Sequence, residues 1–146
     1  MTKLLNLNTV VQNLPDTLKL EVDTENGNLY VNSKYILEVC RELKNNKKFQ
    51  FNYLKSISAV DYVEFFEIVY HLDSLINNTS MVVKSKLYGR DGNSIQSVIS
   101  IWKGAELQER EIWDLMGIFF EGHPNMKRIL LWEGFKGHPL RKDFLK

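Results

Sequence analysis

Apolar and polar residues alternate through Leu18, Lys19, Leu20, Glu21, Val22 and Asp23, the two-residue period of a strand with one buried face. Asn26-Gly27 follows, the dipeptide that best tolerates the positive φ angles of a tight hairpin turn, and Leu29-Tyr30-Val31 supplies a returning strand. The period then changes. Ile36, Leu37, Val39, Cys40 and Leu43 recur at helical spacing behind Asn32 or Ser33, either of which can cap the helix. The polar run Asn45-Asn46-Lys47-Lys48, poor in helix formers, ends it. Aromatic and β-branched residues from Val63 to Leu75 predict a long strand and Asn77-Asn78-Thr79 a turn. Met81 to Tyr88 predicts the next strand, with Val83, Ser85 and Leu87 on one face, and Gly89 to Asn93 an exposed loop.

After Ser97 the pattern is different. Ala105 to Leu115 favour helix, and Gly117 is placed to stop it. Beyond Gly122 come His123-Pro124, Gly134, Gly137 and His138-Pro139, too much Pro and Gly for regular structure. The reading is an α+β chain: a two-layer sandwich of one mixed or antiparallel sheet with a few helices. Residues 1–122 form its compact domain and residues 123–146 an extended C-terminal arm.

Charge divides these last segments. Between 127 and 146, Lys127, Arg128, Lys136, Arg141, Lys142 and Lys146 stand against Glu133 and Asp143, a net of 6 − 2 = +4. Between 101 and 126, Lys103 and Arg110 stand against Glu106, Glu109, Glu111, Asp114 and Glu121, a net of 2 − 5 = −3. An acidic helix beside a basic arm predicts that the two dock on each other. Nucleic-acid binding by Lys127, Arg128, Arg141, Lys142, Trp132 and Phe135 is the weaker reading, because the whole chain carries only +1.

Length and composition narrow the chemistry further. The 146 residues suit one domain, and the single Cys40 rules out an internal disulfide and fits a reducing compartment. No run approaches the roughly 20 apolar residues of a membrane span, and the polar N-terminus lacks a signal peptide's apolar core. Membrane association is therefore expected only through partners. Iron–sulfur ligation needs several cysteines, and Cys40 reads as a small buried residue on a helix. His71, His123 and His138 show no metal-site spacing, and no phosphate loop, nucleophile with a base, or GxGxxG is present. Neither catalytic, cofactor-binding nor metal-binding residues are expected.

The segment Glu109 to Met116 is the most unusual. On a helix, Ile112, Trp113, Leu115, Met116 and Phe119 cover a wide apolar arc, while Arg110 and Asp114 lie outside it, four apart, placed to pair with each other. Glu109 and Glu111 project within the arc, where a carboxylate is costly without a partner. Either they reach water past a half-exposed helix, or they anchor something basic, the chain's own arm or a neighbouring chain.

These same residues carry a resemblance. Glu109-Arg110-Glu111, Asp114-Leu115-Met116, then His123, Lys127, Ile129 and Leu130 at these spacings resemble the signature of the 30 kDa subunit family of respiratory NADH dehydrogenase, the C-type component of NADH:quinone oxidoreductase (complex I). Gly117 to Pro124 and Gly137-His138-Pro139-Leu140-Arg141-Lys142-Asp143-Phe144 resemble two further hallmarks, and weaker likeness reaches back through Val60-Asp61-Tyr62 and Val69-Tyr70-His71-Leu72. The resemblance implies a structural subunit without a cofactor, iron–sulfur clusters and FMN belonging to its companions. It implies packing on the large quinone-site subunit (the 49 kDa type) and the iron–sulfur subunits, peripheral to the membrane on its cytoplasmic face, or the matrix or stroma side in an organelle. Glu109, Arg110, Glu111, Asp114, Gly117, Gly122, His123, Pro124, Lys127, Arg128, His138, Pro139, Arg141 and Lys142 are then the interface residues. The alternative is the equivalent subunit of an energy-converting nickel–iron hydrogenase, or of another complex I relative fed by ferredoxin or a deazaflavin. Many members continue beyond the Arg-Lys-Asp-Phe element whereas this sequence stops at Lys146, so a compact form of the assembly is expected.

Overall fold

The computed structural model describes residues 3–144; Lys146, counted among the arm's cations, lies outside them. Eight strands and four α-helices follow in the order β1 (Lys3–Leu4), α1 (Leu7–Gln12), α2 (Asp16–Lys19), β2 (Val22–Glu25), β3 (Asn28–Val31), α3 (Ile36–Asn45), β4 (Tyr53–Asp61), β5 (Phe65–Ser74), β6 (Thr79–Tyr88), β7 (Ser94–Gln96), α4 (Ala105–Met116) and β8 (Phe119–Glu121). A mixed sheet runs β2-β3-β6-β5-β4, with β1 parallel to the start of β6 and β3 parallel to its middle. A two-stranded parallel sheet joins β7 to β8. This is the α+β architecture anticipated above.

The long β5–β6 hairpin is the backbone of the fold, ten residue pairs in unbroken antiparallel register from Phe65↔Tyr88 to Ser74↔Thr79. Phe66, Ile68, Tyr70 and Leu72 alternate along β5 and join Val39, Cys40 and Leu43 of α3 and Ala105 and Ile112 of α4 in one buried cluster. The helices thus cover one face of the sheet, and Tyr30, Glu67, Val69, Lys84 and Lys86 lie on the other. Asn26 (φ 51°) and Gly27 (φ 78°) make the hairpin turn between β2 and β3 as their side chains predict. Asn32 is the capping residue, its side chain accepting the Lys34 N–H at 3.2 Å ahead of a short 3-10 turn that leads into α3.

Three elements depart from the pattern reading. The strand expected from Leu18 starts only at Val22, because Pro15 opens a helical turn whose carbonyl accepts both the Leu18 and Lys19 N–H groups. Leu18 turns into the core and Leu20 is left 89 % exposed. Helix α1 is short, with only Val10 buried, too little periodicity to be read. Strand β4 was hidden by a bulge between Leu54 and Ser56, which sets the core positions Leu54 and Ile57 three residues apart and breaks the strand period.

The turn from β4 to β5 is strained. Val63 sits at φ 74°, a left-handed conformation that costs a β-branched residue about 1–3 kcal/mol. Its N–H donates to the Asp61 carboxylate at 2.8 Å and its carbonyl accepts from Arg90 at 3.2 Å, two bonds that hold the conformation in place.

Candidate functional site

Helix α4 and the arm form one unit. Residues 123–144 contain no helix or strand, and they fold back on α4 through a series of turns. The centre of that docking is Asp114, fully buried on α4. Its carboxylate accepts the backbone N–H groups of Ile129, Leu130 and Leu131 at 3.1, 2.7 and 2.9 Å, and an Arg128 guanidinium N–H at 2.8 Å. Three successive amides closing on one carboxylate make a nest for an anion, completed by a charge-assisted bond. Burial pushes the Asp114 carboxyl up, but the Arg128 guanidinium and the three amides outweigh it and hold the group below the ordinary aspartate range.

Arg128 then ties the arm to itself. Its second terminal nitrogen donates to the Phe135 and Gly137 carbonyls at 2.9 and 2.8 Å, and the guanidinium lies 5.6 Å from the Phe135 ring. The C-terminal end of α4 is closed by the same arm. His138 donates from Nδ1 to the Asp114 carbonyl at 3.0 Å, and the Leu140 N–H donates to the Leu115 carbonyl at 2.9 Å, so the arm occupies helix-end acceptors that have no partner within the helix. Gly117 caps α4 at φ 77°, and a Cβ there would stand 2.7 Å from His138 Cδ2. Glycine is needed at this position both for its backbone angle and for the approach of the imidazole.

The start of the arm is held by two further side chains of the family signature. His123 accepts the Asn125 N–H on Nδ1 at 2.9 Å, which puts its proton on Nε2, donated to the Glu106 carbonyl at 3.0 Å. Arg110 spans to the Lys127 and Arg128 carbonyls, both at 3.2 Å, and its ionic partner is Glu106 at 3.5 Å. The expected Arg110–Asp114 pair is therefore not formed. Asp114 has turned inward to a cation from the arm, where desolvation rewards a fuller set of donors than one surface arginine supplies.

Glu109 is also corrected. It is fully buried, but among the described residues no basic group meets it: the Ser97 hydroxyl donates to one oxygen at 2.5 Å and the Val98 N–H to the other at 2.9 Å. Burial pushes its carboxyl up to about 7, against the pull of those two donors. Glu109 thus fastens α4 to the turn after β7. Glu111 is exposed and reaches water. Gly122 takes φ 85° at the end of β8, Pro124 and Lys127 are exposed, and Pro139 is half-buried.

A second anchor, legible only in part from the sequence, fixes the far end of the arm. Asp61 at the end of β4 receives both terminal nitrogens of Arg90 at 2.6 and 2.8 Å and the backbone N–H of Lys142 at 2.8 Å. Asp143 pairs with Arg90 at 3.0 Å and with Arg141 at 2.9 Å, and both guanidinium groups lie over the Phe66 ring, at 4.6 and 5.2 Å. The Arg90 bond holds the Asp61 carboxyl far below the usual range, and Asp61 in turn raises Arg90. Arg90 sits in the loop expected to be merely exposed. Its partners lie 29 and 53 positions away, beyond the reach of any local pattern.

What the arm leaves outside is apolar and charged. Leu130, Trp132 and Leu140 are 60, 69 and 60 % exposed, on the same segment as the exposed side chains of Lys127, Glu133, Lys136 and Lys142. Arg128 and Arg141 are used within the chain, but among the described residues these three lysines pair with no carboxylate. The described residues hold no cluster of three His, Cys, Asp or Glu side chains suited to a metal, and no helix among them is long and apolar enough to cross a membrane.

Comparison with known proteins places this arrangement. Residues 29–146 match the family described as respiratory-chain NADH dehydrogenase, 30 Kd subunit. A C-type NADH-quinone oxidoreductase subunit of Rhizobium etli is 41 % identical over 145 residues, covering 96 % of this chain and 76 % of that protein. Its namesake from Rhizobium meliloti is 44 % identical over 112 residues, 75 % of this chain, and the match spans 60 % of that protein's length. A chain in the structure of the membrane-bound sulfane sulfur reductase, an archaeal respiratory membrane complex, shares the fold, with a TM-score of 0.76 and 24 % identity over 94 % of this chain and 82 % of that one. With its signature residues assembled as one helix-and-arm unit, the chain belongs to the 30 Kd subunit family of the respiratory-chain NADH dehydrogenase.

Proposed function

We propose that this chain is a structural subunit, without a cofactor of its own, of the peripheral arm of an NADH:quinone oxidoreductase. It packs on the large quinone-site subunit and the iron–sulfur subunits, is held at the cytoplasmic face of the membrane through them, and supports electron transfer to quinone by keeping them in register. The observation that carries the reading is the arm itself: pinned to α4 through Asp114, it leaves Leu130, Trp132 and Leu140 exposed on a segment that also exposes Lys127, Lys136 and Lys142. A segment so held offers exposed apolar side chains among exposed lysines, fit for a protein partner with apolar pockets and carboxylates.

The test is to isolate the native complex through a tag on this chain and identify its companions. Trp132→Asp in the tagged chain should remove the quinone-site subunit from the isolate and with it NADH:quinone activity, while the purified variant keeps the wild-type melting temperature. Full assembly of the variant would overturn the proposal. Companions that bind nickel in place of NADH would assign the chain to a hydrogenase-type machine.

A further inference from the structure

We propose that the β4–β5 turn, residues 61–65, is a second contact for the same partner protein that engages the arm, so that turn and arm form one docking surface. This rests on the assembly reading above and extends it to a region outside α4 and the arm. Three independent observations point to the turn. Val63 is held at φ 74° although asparagine or glycine would take that angle without strain, and strain of this kind concentrates where a site needs a fixed shape. Tyr62 and Val63 are 46 and 56 % exposed on that strained turn. Tyr62, Phe65 and Tyr88 form a ladder of rings with centroids 5.1 and 5.7 Å apart, ending in the 71 % exposed Tyr88, and Lys86 stands 4.8 Å from the middle ring.

Asp61 makes the turn and the arm continuous. One oxygen holds the Val63 N–H and the other holds the Lys142 N–H, while Arg90 bridges from the Val63 carbonyl to Asp143. The turn cannot relax without disturbing the end of the arm, and the two present their exposed side chains from one rigid hub. A protein partner is favoured over a membrane or nucleic acid by the rim of the patch. Glu64 on the turn and Glu133 and Asp143 on the arm are exposed alongside Lys127, Lys136 and Lys142, three charges of each sign, which suits a mixed protein surface and gives no net attraction for anionic phosphates. The partner surface has apolar pockets for Tyr62 and Val63 and a carboxylate within reach of Lys142.

The test places a photo-crosslinking residue at position 62 in one full-length chain and at position 132 in another, each assembled into the native complex. Both should capture the same companion polypeptide. Val63→Gly should leave the purified chain melting at the wild-type temperature or above, since glycine accepts the angle, yet lower its retention in the washed complex about fivefold or more, the scale of a truncated interface anchor. Capture of that companion from 132 with nothing, lipid or a different protein captured from 62 overturns this inference alone. Unchanged retention of Val63→Gly also overturns it. No capture from 132 sinks the assembly reading, and this inference with it.

Discussion

Glu109 and Asp114 lie on the same helix, both wholly out of solvent, and their carboxyls are shifted in opposite directions. Glu109 faces the body of the domain, where two neutral donors meet it and the neighbouring ionisable groups, Cys40 and Tyr70, are themselves pushed up by burial. Its charged form is barely tolerated. Asp114 faces the arm, where a guanidinium and three amides converge, and its charged form is strongly preferred. Burial sets the same kind of cost on both; what the opposite wall supplies decides the outcome. The first carboxylate is a fastener inside a finished domain, and the second is the reason the arm has a definite shape.

Removing Asp114 tests that contrast most severely. Asp114→Ala leaves Arg128 and three amides without their acceptor, and denaturant unfolding at neutral pH should register a loss of about 3–5 kcal/mol, with early proteolytic cleavage in the arm. A loss within experimental scatter would mean that the arm is held by its turns alone. Changing pH separates the two groups more gently. Glu109 has a raised folded pKa, so its contribution is full below about 4.5 and is lost as pH rises through about 7. Asp114, with a lowered pKa, contributes fully above its unfolded value of 3.8 and loses that contribution as pH falls below it. Glu109→Gln should therefore flatten the stability profile between pH 5 and 8 and gain on the order of 2 kcal/mol on wild type at its upper end. A slope that survives in the variant would assign the titration to another group. Glu111→Lys is the smallest change: on an exposed helix position the purified chain should shift by less than about 0.5 kcal/mol. A larger shift would show that Glu111 has a partner within the chain.

Where local rules apply, the sequence was readable. Asn26-Gly27, the helical spacing of α3 and the β-rich runs of β5 and β6 each depend on near neighbours, and each element stands where its pattern put it. The mutual docking of the acidic helix and the basic arm was legible from charge alone. The choice of partners was not. Arg110 lies four residues from Asp114 and was the natural candidate, but Arg128, fourteen residues on, arrives with its own backbone amides and wins. Asp61 gave no local signal beyond its place in a stretch of family likeness, because its meaning lies in Arg90 and Lys142. In β4 the single extra residue at the bulge was enough to conceal a nine-residue strand.

The bond from Asp61 to Lys142 also has a consequence in time. It joins positions 81 residues apart, and one of its ends is among the last described residues of the chain. While the chain is being synthesised, β4 and β5 emerge and pair long before residue 142 has left the ribosome. During that interval Asp61 lacks one of its donors, and until residues 128–131 emerge Asp114 has neither its guanidinium nor its amides. The sheet can form on the way out, but this corner closes only once residue 142 has emerged, as a late and long-range step of folding. Until then the arm's apolar side chains have no fixed place, and any partner that recognises the closed corner would pass over unfinished chains.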